Sequence, residues 1–173
     1  MEIEFYENSL YIGLNLENDD TGSFIEDIAI KDGFKKQNER HITILYYPIQ
    51  KVFENISNNS SVEVKEKIIK QINDLIKNFE WKFRPTEIYK IEKQGYFNGS
   101  DVLEQRESYI YLVEMPDIEV FYKKLNSLLG SNLPVQFTHI TLFTKGERVG
   151  ASFYGIPVSS VEEFNNFNPK KIS

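Results

Sequence analysis

Two apolar runs, HITILYYP starting at His41 and FTHITLFT starting at Phe137, carry both of the chain's histidines, each in the tripeptide His-Ile-Thr. Runs this rich in β-branched and aromatic residues read as β-strands. Successive side chains of a strand point to opposite faces. His41 and Thr43 therefore share one face while Ile42 takes the other, and His139, Thr141 and Ile140 repeat the pattern. The chain has six threonines in 173 residues. By composition alone, two histidines each followed by Thr at the second position arise roughly once in a thousand. A fold for this chain has to account for both strands together.

The repetition extends beyond the tripeptides. The offset of 98 residues between His41 and His139 also aligns Tyr11-Ile12-Gly13-Leu14 with Tyr109-Ile110-Tyr111-Leu112, each run 30 residues before its histidine. Between Tyr109 and His139, the span from Asp117 to Leu129 places Ile118, Phe121, Leu125, Leu128 and Leu129 on a helical stripe that ends before Gly130. The equivalent span, Asp20 to Lys31, offers Phe24, Ile25 and Ile28, with Ser23 and Glu26 spaced as a capping box. Each half thus reads strand, helix, strand, with His-x-Thr on the last strand.

Other segments add to this frame. Ser60 and Glu63 form a second capping box, followed by Ile68, Ile72, Leu75, Ile76 and Phe79 on one helical face. Trp81 to Phe97 reads as one or two strands, with Pro85 marking an edge or a break. Gly95 to Gln105 is a polar loop, and Gly155 to Phe164 reads as a closing strand. Strand–helix–strand units without regular βαβ alternation favour an α+β fold with antiparallel sheets.

Composition narrows the function classes. The chain has no cysteine, which removes disulfides, thiolate metal sites and cysteine nucleophiles. A net charge of −6 argues against a partner as large and as charged as a nucleic-acid duplex. A small nucleotide or short oligonucleotide is the better fit. No run reaches the roughly 18–20 apolar residues that span a bilayer, and MEIEFYENSL lacks the basic and apolar regions of a signal peptide. The expectation is a cytoplasmic protein with no membrane association. Phosphate-binding loops and nucleophile elbows of the familiar glycine-rich kinds are missing.

The paired tripeptides suit phosphodiester cleavage. That reaction takes a proton from an attacking oxygen and delivers one to a leaving oxygen, and imidazole, with an ordinary pKa near 6.5, does both around neutrality. Thr43 and Thr141, on the histidine faces, are placed to donate hydrogen bonds to non-bridging oxygens. Strand alternation past Thr141 leads to Phe143 and Lys145; Lys145 either neutralises a phosphate or is a solvated strand end. Tyr11 and its repeat partner Tyr109 either stack on a nucleobase or pack in the core. No metal or organic cofactor is required.

Two His-x-Thr tripeptides on strands about a hundred residues apart, in a cysteine-free chain of this size, resemble the 2H phosphoesterase superfamily. Its members include bacterial 2′–5′ RNA ligase-like proteins, 2′,3′-cyclic nucleotide phosphodiesterases and phage enzymes that destroy cyclic oligonucleotide alarm signals. The resemblance implies a single domain over residues 1–173 made of two pseudo-repeated lobes. It also implies a bilobed, pseudo-two-fold arrangement of two antiparallel sheets, flanked by helices, with a central cleft carrying both motifs. His41, Thr43, His139 and Thr141 would be the catalytic set, acting without cofactor. The expected activity is cleavage of a 2′,3′-cyclic phosphate, a 2′–5′ link or a cyclic oligonucleotide. The alternatives are a non-catalytic nucleotide- or RNA-binding module with the same cleft, and 2′–5′ RNA end-joining.

Overall fold

The computed structural model describes residues 2–6, 9–16, 22–38, 40–48, 62–96, 101–147 and 155–172. The architecture is α+β, and every strand pairing established among these residues is antiparallel. The strands are β1 (Glu2–Tyr6), β2 (Ser9–Asn15), β3 (Lys35–Lys36), β4 (His41–Pro48), β5 (Arg84–Tyr96), β6 (Leu103–Glu114), β7 (His139–Gly146) and β8 (Lys170–Ile172). The helices are α1 (Glu26–Lys31), α2 (Val62–Asn78), α3 (Ile118–Leu129) and α4 (Val161–Asn166). Among the described residues no helix is long and apolar enough to cross a membrane.

The chain divides into two compact units. The first comprises Met1–Leu14, Thr43–Arg84 and Met115–Gln136, and the second Asn15–Ile42, Pro85–Glu114 and Phe137–Ser173. In the first unit β1 and β2 form a hairpin, with Ile3 opposite Ile12, and β2 neighbours β4. The apolar stripes of α2 and α3 form the rest of its core. Ile72, Ile76, Phe121 and Leu125 are at most 1% exposed. The rings of Phe79, Trp81 and Phe121 meet at centroid distances of 4.7 to 5.3 Å, and Trp81 Nε1–H donates to the Ile76 carbonyl at 3.1 Å. The periodic stripe from Ile68 to Phe79 is thus core packing, as amphipathic helices generally use such faces. Ser60 of the expected capping box lies outside the described residues. Tyr122, also buried, donates its hydroxyl hydrogen to the Ile44 carbonyl at 2.6 Å and accepts from the Gln136 N–H at 3.1 Å.

In the second unit β7 lies between β6 on one side and both β3 and the start of β4 on the other, while β6 continues to β5 and β8. The pairing of β6 with β7 changes register once. Tyr109 faces Phe143, but Ile110 faces Thr141, so Leu142 is an extra residue in β7. Such a bulge inverts the side-chain alternation of the strand that carries it. One face of this unit packs Ile110 and Ile91 against Ile156, Val158, Phe164 and Phe167. The other packs Tyr109 against Phe34 and Phe143, with centroids 4.7 and 6.3 Å apart.

Two local expectations are corrected. Residues 155–159 precede a helix rather than forming a closing strand. Ser160 caps α4 by accepting from the Glu163 N–H at 3.1 Å, and Glu163 reaches back to the Ser159 N–H at 2.9 Å. Ser160 and Glu163 have capping-box spacing, with the return hydrogen bond made to the residue before the cap, and α4 buries Phe164. At the other helix, Ser23 makes no such cap. Residues Ser23–Ile25 form a 3-10 turn entered from Gly22, whose φ of 81° is left-handed. The tighter turn shifts the helical phase, so Ile25 and Ala29 are buried while Phe24 and Ile28 are exposed. Finally β1, β3 and β8, too short or too polar to stand out by periodicity, complete the sheet pairings.

Candidate functional site

Both histidines fall in the second unit. Ile42 of β4 pairs directly with Ile140 of β7, and both isoleucines are fully buried. In an antiparallel pair a direct partner fixes its neighbours, so His41 faces Thr141 across the two strands. The alternation turns His41, His139 and Thr141 to the face opposite the two isoleucines. A diagonal relation such as that of His41 to His139 separates the two residues by roughly 7–8 Å, their Cβ atoms by somewhat less. Thr43 follows His41 on the same face of β4, as the first residue of the other unit.

The two rings differ in setting. His41 is exposed, whereas His139 is half-buried beside Phe137, with ring centroids 6.0 Å apart. His139 Nδ1 lies 3.4 Å from the Phe137 carbonyl oxygen. A carbonyl only accepts, so this contact favours the tautomer with its proton on Nδ1 and leaves the Nε2 lone pair available. Burial pushes the pKa of His139 down to about 4, against the carbonyl contact that raises it; the charge on His41 lowers it further. His139 is therefore neutral at pH 7, and the two rings sense each other electrostatically.

The remaining candidates stand apart from this group. Because of the bulge at Leu142, Phe143 and Lys145 face away from His139 and Thr141, which corrects the expectation from strict alternation. Lys145 instead donates to the Asp32 carbonyl at 3.0 Å, approaches Glu107 at 3.6 Å and lies over the Phe34 ring. Lys90 pairs with the same Glu107 at 2.5 Å. Burial pushes the Glu107 carboxyl up, but the two lysines outweigh it and hold the group below its ordinary range. Tyr109 is 4% exposed, its ring packed on Phe34 and Phe143, and burial raises its phenol pKa. Tyr11 sits opposite Glu4 in the β1–β2 hairpin, and its side chain lies outside the described residues.

Two residues join the site that the motif alone did not single out. Phe137, two positions before His139 and just ahead of β7, brings its ring to 6.0 Å from the imidazole. Gly155 lies against Thr141: a Cβ at that position would come within 3.0 Å of Thr141 Oγ1. Nothing in the sequence marks Gly155, since the contact is made across 14 residues of chain. Among the described residues, no group of three or more His, Asp and Glu side chains is placed to hold a metal ion.

The chain matches no protein family, no characterised protein and no solved structure to which it was compared.

Proposed function

We propose that the chain is a metal-independent phosphodiesterase, cleaving a small nucleotide substrate between His41 and His139. The observation that carries this reading is the direct Ile42–Ile140 pairing, which turns His41, His139 and Thr141 to one side of two adjacent strands. The substrate is a 2′,3′-cyclic phosphate, a 2′–5′-linked dinucleotide or a cyclic oligonucleotide. The matching strand–helix–strand halves underlie a bilobed, pseudo-two-fold arrangement with a cleft that carries both motifs, in a cytoplasmic protein.

The different settings of the rings divide the labour. His139, neutral and with Nε2 free to accept, is the general base that takes the proton from the attacking oxygen. His41, in contact with solvent, is the acid that protonates the leaving oxygen. Thr141 and Thr43 donate hydrogen bonds to the non-bridging oxygens as charge shifts onto them. If the attacker is the adjacent ribose hydroxyl, the first product is a cyclic phosphate; if it is water, an open monoester results.

Mass-spectrometric product analysis over 2′,3′-cyclic mononucleotides, 2′–5′ dinucleotides and cyclic di- and trinucleotides, run in EDTA, tests the reading. One class should turn over, and His41→Ala and His139→Ala should each lose roughly 10²–10⁴-fold in rate. On the acid side kcat/KM should hold down to about pH 4 and fall below it, because the base must be unprotonated. Saturable binding without product would instead identify a binding module. Turnover abolished by EDTA would overturn the two-histidine mechanism.

A further inference from the structure

The segment from Gly155 to Val158 carries a contact that periodicity and motif do not explain. An ideal Cβ built on Gly155 would stand 3.0 Å from Thr141 Oγ1, 3.1 Å from its Cγ2 and 3.5 Å from its Cβ. Unstrained carbon contacts lie near 3.5–4.0 Å. The whole Thr141 side chain therefore rests against bare main chain. Backbone conformation does not require glycine here. Among the described residues the glycines with positive φ are Gly22, Gly33 and Gly130. Space is the requirement.

Both sides of the contact are anchored. On one side the Ile156 N–H donates to the buried Ser108 hydroxyl at 3.3 Å, and Ile156 and Val158 are packed with Ile91, Ile110 and Phe164. On the other, Thr141 is held in register opposite Ile110 on β6. A threonine side chain has few χ1 options, so an atom added at 155, close to both Thr141 Oγ1 and Cγ2, is accommodated by pushing Thr141 away by a few tenths of an ångström or by turning it about χ1. Either movement displaces the hydroxyl.

We propose that Gly155 is a positioning residue: its bare main chain selects the Thr141 rotamer and so aims the Thr141 hydroxyl at the reacting phosphate. This rests on the two-histidine phosphodiesterase reading. A donor fixed before the reaction contributes more than one that must be reoriented during it, and such groups have to be held within about 0.5 Å.

The test uses Gly155→Ala, Thr141→Ser and the double variant, in the full chain, with the substrate class that the product assay identifies. Gly155→Ala should lower kcat by up to about 10²-fold, the lower end for losing one preorganised donor, with KM little changed. Serine removes the methyl, one of the two atoms that crowd position 155, and with it the β-branched restriction on χ1, so the double variant should return to the Thr141→Ser rate. Methyl-labelled threonine spectra provide a readout that needs no substrate. With six threonines, the Thr141 methyl is assigned by its loss in Thr141→Ser, and its three-bond couplings report χ1. A changed Thr141 rotamer together with the kcat loss and its rescue supports the proposal. An unmoved Thr141 methyl, an unchanged kcat, a loss confined to KM, or a double variant no better than Gly155→Ala would overturn it. Should Gly155→Ala not fold, a folded double variant at the Thr141→Ser rate supports it, and an unfolded or inactive one overturns it. Wild-type protein without histidine-dependent turnover sinks the parent reading and this one with it, and is recognised before any position-155 variant is made.

Discussion

His139 makes the folded protein sensitive to acid over a defined window. Its pKa is near 4 in the native state and near 6.5 when unfolded. Above pH 6.5 both states leave the ring neutral, and the group has no effect on stability. As pH falls from 6.5 towards 4 the unfolded chain takes up a proton that the native ring refuses, so stability drops by about 1.4 kcal/mol per pH unit. The loss reaches about 2 kcal/mol at pH 5 and about 3 kcal/mol at pH 4, and levels off at about 3.4 kcal/mol below that. These are ceilings, since the half-buried ring keeps some contact with water. Urea unfolding at several pH values, on wild type and on His139→Gln, isolates the effect, because glutamine does not titrate. The two proteins should diverge in their pH dependence between pH 6.5 and 4, wild type losing more. Ring-proton NMR gives the pKa directly, with only two histidines to resolve. His41→Gln should move the His139 pKa upward by removing a like charge. A His139 titration near 6.5, or parallel pH profiles for the two proteins, would refute the argument.

Tyr122→Phe should cost about 1–3 kcal/mol in urea denaturation, because the Ile44 carbonyl and the Gln136 N–H each lose a buried partner. Gly22→Ala should destabilise by at least about 1–2 kcal/mol, the cost of a left-handed backbone for a residue with a Cβ; an unchanged melting curve would contradict the φ of 81° there. Lys145→Ala, on the face turned away from the histidines, should leave kcat intact while the Glu107 pKa rises as one of its two lysines is removed. A large loss of kcat would show that the bulge at Leu142 does not separate Lys145 from the site.

What the sequence determined by itself is whatever a local period can express. His41-x-Thr43 and His139-x-Thr141 lie on strands because β-branched and aromatic residues surround them, and alternation alone puts each histidine with its threonine. The helix ending at Gly130 and the core stripe of α2 are equally local patterns. The capping box of Ser160 and Glu163 was present to be read as well, and outweighs the strand-like look of the residues around it. Tertiary structure decided the rest. That Ile42 pairs with Ile140, and so brings the two tripeptides to one face, depends on strand neighbours that no local period encodes. One extra residue at Leu142 reverses the alternation and carries Lys145 to the other side of the sheet, because a period of two tolerates no insertion. The depressed pKa of His139 and the approach of Gly155 to Thr141 likewise follow from burial by distant chain, which exists only once the fold has closed.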